Sequence, residues 1–209
     1  MDCAAPLPAR APPVTAEAPC PARDADPTPA AETLARLAGG GDARAFAALV
    51  DRYHARCVRF ARNMGLPPED AEEAVQDAFV RVHRALPRFR DGARLEPWLF
   101  RVLANRCRTT RARARWRRAM SDGDAALAGH AAPDDTAAAA EAEALRDVVA
   151  RALATLPAEQ REAFLLRHVE QLSYDDIARA TGVRLSTLRM RVKRACDAVR
   201  ARLRPEELR

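Results

Sequence analysis

The chain has 209 residues, enough for one or two small domains with cores of their own. Its formal net charge of +6 and pI near 9.6 suit a polyanionic partner, and its five cysteines, an odd number with no zinc-ligand spacing, exclude a disulfide framework and a zinc module. No apolar run approaches the roughly 18 residues of a membrane span, and prolines near the N-terminus argue against a signal peptide, so a cytoplasmic protein with no membrane partner is expected. Lys193 is the only lysine, and arginine, alanine and proline are abundant together. That pattern fits a GC-rich coding bias, so the distribution of charge says more than its sum.

Residues 1–38 are assigned to a disordered N-terminal tail. They are rich in Pro and Ala and offer little apolar surface to offset ordering entropy. Helical periodicity begins after Gly39-Gly40-Gly41. Phe46, Leu49, Val50, Tyr53, Cys57 and Phe60 recur at three- and four-residue steps, predicting an amphipathic helix over 43–63. Gly65 and Pro67-Pro68 separate it from a second helix over 69–86, whose first turn carries Glu69, Asp70, Glu72 and Glu73 at the end where acids stabilise a helix. On this second helix Gln76, Asp77 and Arg81 lie away from the buried stripe, and so does the apolar Val80, which hints at a docking surface.

Pro87 breaks that helix, and a basic loop with one aromatic, Phe89, follows. Glu96-Pro97 opens a long helix to about Arg118, with proline suited to its first turn. Beyond Trp98, Leu99, Val102 and Leu103, seven arginines (106, 108, 111, 113, 115, 117 and 118) run with no acid between them, a pattern that predicts phosphate contacts. Residues 119–140 turn to Gly, Ala and Asp and are expected to form a flexible linker. Helical pattern returns over 141–156, stops at Pro157, and resumes over 158–168.

The final stretch, Leu172 to Arg204, reads as a helix-turn-helix. Ser173 with Asp176 makes a capping-box-like start, and Gly182 sits where a left-handed turn must follow a short helix. A second helix then buries Leu188, Val192, Ala195, Cys196, Val199 and Leu203 and shows Ser186, Arg189, Met190 and Lys193 outward. A basic helix held this way fits the DNA major groove. No strand-like alternation occurs anywhere, so the fold class is all-α: two small helical domains on a linker, spanning 39–118 and 141–209.

Three blocks resemble the bacterial sigma-70 family. Asp70 to Phe79 (DAEEAVQDAF) resembles its polymerase-docking helix, and Pro97 to Asn105 (PWLFRVLAN) its next block. Leu156 to Phe164 and Leu172 to Ala178 are similar to its C-terminal domain. Their order around a variable linker, with no further domain, resembles the extracytoplasmic-function group. The resemblance implies that Glu73, Gln76, Asp77 and Val80 touch core RNA polymerase. It implies that Phe89, Arg90 and Asn105, with Arg101, Arg108 and Arg111 on the backbone, open and hold the minus-ten element, where aromatic pockets and cations suit an extruded base and its phosphates. In the minus-thirty-five element Ser186, Arg189, Met190, Lys193 and Arg194 are the candidates, Arg189 for bases and Arg194 for phosphate. An anti-sigma partner that clamps both domains is the further expectation. Arg184 stands where the family has a small N-cap, so the recognition helix is expected to begin at Ser186, and Met190 and Thr109 also depart from the family pattern.

An enzyme is disfavoured. Glu72 and Glu73 point to different sides of a helix, His54 reads as a partly buried histidine beside a core Cys57, and no phosphate-binding glycine loop is present. No cofactor, metal or small-molecule substrate is expected. The alternative is a stand-alone helix-turn-helix regulator, which would need no polymerase-docking helix.

Overall fold

The computed structural model describes residues 30–89, 94–120 and 148–202, all of them helix or connecting turn. The expected linker and most of the expected tail lie outside these residues, as does Arg90.

The N-terminal unit holds four helices: α1 (Ala31–Gly39), α2 (Ala43–Asn63), α3 (Pro68–Ala85), and α4 (Leu95–Met120) after a 3-10 turn at Leu86–Arg88. Asp42 caps α2, its carboxylate accepting from the backbone N–H groups of Arg44 at 2.8 Å and Ala45 at 3.1 Å. Pro68 occupies the first turn of α3, where its missing N–H is harmless. The apolar stripes of α2, α3 and α4 meet around Tyr53, Phe60, Val75, Phe100 and Leu103, all at most 1% exposed. The Phe60 and Phe100 rings pack edge to face at 5.4 Å.

Helix α1 corrects the expected tail boundary at residue 38. Leu34, Ala35 and Ala38 are buried against α2 and the 3-10 turn. The alanines that made this stretch look like low-complexity tail are the small residues that let a short helix approach closely. Disorder was inferred from overall composition, whereas Leu34 with Ala31, Ala35 and Ala38 already marks one helical face.

The C-terminal unit comprises α5 (residues 148–154), α6 (Ala158–Phe164), α7 (Tyr174–Thr181) and α8 (Leu185–Arg200). The expected regular helix over 158–168 changes pitch halfway: α6 passes into a π turn at Leu165–Val169, closed by Glu170 N–H on Leu165 C=O at 2.9 Å. Gln171, at φ 58°, ends the turn in a left-handed conformation. Ser173 caps α7 by accepting from Asp176 N–H, and Gly182 stops that helix at φ 71°. Helix α8 begins at Leu185 rather than Ser186. Its N-cap is Arg184, extended at ψ 142° and without a side-chain hydrogen bond, because an arginine has no short acceptor to offer.

The two units pack against each other. α4 touches α7, and the buried apolar side chains of both units form one connected cluster. Among the described residues the buried charged groups are Arg161, Glu162, Glu170 and Asp176, and all four lie on the C-terminal unit.

Leu34→Ala is expected to lower unfolding stability by about 2–4 kcal/mol, the range for a buried leucine. Urea denaturation of the full chain measures this, and a change near zero would return α1 to the tail.

Candidate polymerase and nucleic-acid interfaces

Helix α3 shows an outer face. Glu73, Gln76 and Val80 are exposed, and Val80 is 46% accessible on a helix whose other large apolar residues are covered. An open valine among polar neighbours is what a protein–protein contact uses. Asp77 sits beside them and is tied to Arg106 of α4 by an ion pair, which also fixes α3 on α4. Where α3 and α4 run side by side, Glu73, Thr110, Arg113, Trp116 and Arg117 line a surface cavity. Trp116 is 66% exposed there, an aromatic within the arginine run.

The minus-ten candidates divide. Phe89 is half-buried and packs its ring on Trp98 at 5.5 Å, so an aromatic pair stands where one phenyl ring was expected. Arg101 is exposed on α4. Asn105 accepts from Arg108, and Arg108 also donates to Glu162 of α6, Nη1 lying 3.1 Å from each carboxylate oxygen. Arg111 is half-buried near Gly65 and Arg161. Three of the six candidates therefore lie at or beside the junction of the two units.

On α8 the candidates stand together on one open face: Ser186, Arg189, Met190, Lys193 and Arg194 are all exposed. The Arg189 guanidinium lies 5.7 Å from the Tyr174 ring centroid, and Arg167 lies over the same ring at 4.9 Å. Cation–π contact with Tyr174 seats Arg189 before any ligand arrives. Tyr174 was not among the expected residues, since its neighbour in space is twelve or more residues away in sequence. Lys193 is held by Asp197 at 3.5 Å, one helical turn on.

Among the described residues, Arg161, Arg108, Arg94 and Arg56 join the units. Arg161 donates through Nε to Leu153 C=O at 2.8 Å and through Nη2 to Ala154 C=O at 2.6 Å, which caps α5 with a cation. Its Nη1 crosses to Met64 C=O at 3.0 Å, just before Gly65, where a Cβ would stand 2.5 Å from Nη1. Arg108 meets Glu162, Arg94 meets Asp176, and Arg56 meets Glu170 at 2.8 Å. Arg56 is shared: its Nη1 also donates to Glu96 Oε1 at 2.8 Å, and Glu96 accepts from Tyr53 Oη at 3.2 Å. The expected capping-box-like start forms, Ser173 Oγ accepting from Asp176 N–H, and the Asp176 carboxylate takes Ser173 Oγ–H, Arg179 and Arg94.

Burial raises the carboxyls of Glu162 and Glu170 above the usual range, and the facing arginines pull them back only in part. Burial and then Arg111 lower Arg161 to about 10. Desolvation outweighs attraction for both carboxyls at this junction.

Residues 49–117 match the family described as Sigma-70 region 2, and residues 146–199 match Sigma-70, region 4. The ECF RNA polymerase sigma-E factor of Escherichia coli (strain K12) is 31% identical over 175 residues, 79% of this chain and 90% of that protein. The ECF RNA polymerase sigma factor SigM of Mycobacterium tuberculosis (strain ATCC 25618 / H37Rv) is 38% identical over 164 residues, 78% of this chain and 77% of that one. Among solved structures, CnrH in complex with the cytosolic domain of CnrY is similar, with a TM-score of 0.60 and 29% identity over 81% of this chain and 94% of that chain. The fold is also that of RpoE from Bartonella quintana, solved with the anti-sigma factor NepR, with a TM-score of 0.64 and 24% identity over 75% of this chain and 95% of that chain.

Cys57 and Cys107 are buried, and burial pushes both thiols up to about 12. His54 faces Glu72 at 3.2 Å rather than Cys57. No group of three metal-ligating side chains occurs among the described residues, and no helix there is long and apolar enough to cross a membrane. Cys57 and Cys107 should resist iodoacetamide in the native chain at pH 8 and react once it is unfolded, as mass spectrometry would read. Rapid native alkylation of Cys57 would reopen a nucleophile there.

Proposed function

The chain belongs to the extracytoplasmic-function group of sigma-70 factors and directs promoter recognition by RNA polymerase through regions 2 and 4, and we propose that its contacts divide by helix. Helix α3 holds core polymerase through Glu73, Gln76, Asp77 and Val80. Helix α4 and the segment before it hold the minus-ten element through Phe89, Arg90, Arg101, Asn105, Arg108 and Arg111. Helix α8 reads the minus-thirty-five element through Ser186, Arg189, Met190, Lys193 and Arg194. The protein works by binding, as its family does, and its place is the cytoplasm, where polymerase and promoter are.

The observation that carries this division is the separate exposure of two unlike faces. One is the acidic-and-apolar face of α3, suited to a protein. The other is the basic face of α8, with Arg189 seated on Tyr174 and aimed outward, suited to a base edge. A stand-alone regulator has no use for the first. Structures of similar fold have been solved with protein partners, the cytosolic domain of CnrY and the anti-sigma factor NepR. An anti-sigma partner is proposed for this chain on the same footing.

Run-off transcription with core polymerase tests the division. Gln76→Ala with Asp77→Ala should weaken polymerase binding about tenfold with the helical content unchanged, since truncating a few central contacts carries most of such an interface. Arg189→Ala should leave polymerase binding as it is and weaken promoter discrimination by about 1–3 kcal/mol, the value of one good base contact. Equal loss of polymerase affinity in both variants would contradict the assignment.

A further inference from the structure

Four positions of α4, namely Arg106, Thr110, Arg113 and Arg117, recur at steps of four, three and four residues and form one stripe along the helix. That stripe lies beside α3, the helix whose outer face is assigned to polymerase. The α3 residues it meets are Asp77 and Glu73, both of them polymerase candidates. At Asp77 the contact is an ion pair. The Arg106 side chain is 12% exposed there, while the carboxylate it holds is 44% exposed. Arg106 Nε is buried without a hydrogen-bond partner among the described residues. A leucine would fill the same space and leave no buried donor unsatisfied. The guanidinium is therefore placed for the carboxylate that it holds at the surface, and it is too covered to meet a DNA phosphate.

One turn toward the start of α3, Glu73 shares its surface cavity with Arg113, Trp116 and Arg117, all three of them exposed. Along the sequence the arginines of α4 form a track with no acid between them. In space the members that face α3 stand beside two carboxylates. Carboxylates repel phosphate, and a surface that alternates acid and base suits a protein of mixed charge. An exposed tryptophan among arginines also has the composition of the few residues that carry most of a protein–protein contact. Trp116 reaches the cavity from its lip. Asn105 and Arg101, exposed candidates for the minus-ten element, lie on another side of α4 from the stripe.

We propose that the polymerase-docking surface continues from α3 across this edge of α4, with Trp116 and Arg113 as its anchors and Arg106 as the positioning residue that presents Asp77. The partner is a segment of core polymerase of mixed charge. It is basic where it meets Glu73 and Asp77, and it brings a carboxylate to Arg113 and Arg117 and an apolar side chain to Trp116. The arginine run is thereby divided lengthwise: one edge serves the protein partner, and the remainder is left to promoter DNA. The assignment of α3 to polymerase is the premise, and the test separates the two.

Full-length Arg113→Ala with Trp116→Ala is compared with the wild type in two measurements. Competition against labelled wild-type chain for core polymerase reads docking. Promoter DNA binding by polymerase saturated with each chain reads the nucleic-acid side. The variant should dock about tenfold more weakly, as loss of an aromatic anchor does, and at saturation should bind promoter DNA within about twofold of the wild type. Trp116→Ala alone carries the test if the double variant loses its circular-dichroism signal. Docking within about twofold of the wild type would overturn the proposal. So would a loss of promoter binding at saturation as large as the loss of docking, which would give Trp116 to the DNA. Arg106→Met should weaken docking as Asp77→Ala does, and the two together no more than either; additive losses would leave Arg106 no part in presenting Asp77. Gln76→Ala with Asp77→Ala, measured alongside, keeps premise and proposal apart. If it weakens docking and the α4 variant does not, only the extension onto α4 fails; if it leaves docking unchanged, the assignment of α3 fails as well.

Discussion

One guanidinium holds the two halves of this protein in register. Arg56 lies under the carboxylates of Glu96 from its own unit and Glu170 from the other, each at 2.8 Å, and over the rings of Tyr53 and Phe100. Burial lowers its hold on the proton, but the two carboxylates more than restore it, so it stays charged. Glu96 is thereby fixed at the first turn of α4, where a negative charge also favours the helix dipole. The same cation sets the start of the α4 helix and the seat of the C-terminal unit.

From that junction outward the structure separates permanent contacts from conditional ones. The core of region 2 is apolar and aromatic, and the C-terminal unit has its own leucine and isoleucine core around Leu165, Leu166, Leu172 and Ile177. Between them stand charges whose burial the facing arginines offset only in part. The large, partly screened Arg94 and Arg108 side chains, 60% and 44% exposed, complete pairs with acids that are almost fully covered.

Much of the fold is legible in the sequence because it is local. The bounds of α2 follow from an Asp42 cap, a continuous apolar stripe and the Gly65 stop, and Gly182 marks the turn of the helix-turn-helix by the one conformation a Cβ disfavours. Helix α1 was missed because its face is built from alanines, which composition counts as filler. The π turn after α6 leaves no periodic signature over five residues. The junction could not be read at all, since its pairs join residues 114, 54 and 82 positions apart. The arginine run illustrates this limit. No acid lies between Arg106 and Arg118, yet Arg106 and Arg108 find Asp77 and Glu162 in space. Exposed candidates on α3 and α8 were the ones the helical period alone could place.

One chain grips a promoter at two places, through region 2 and through region 4. It is tested by the distance between positions 51 and 201, both exposed and outside the assigned contacts, measured by energy transfer in the free chain and in its complex with core polymerase and promoter DNA. A separation within a single compact body is expected for the free chain, and about 85 Å between the two grips in the promoter complex. The same short distance in both states, with transcription still promoter-specific, would contradict it.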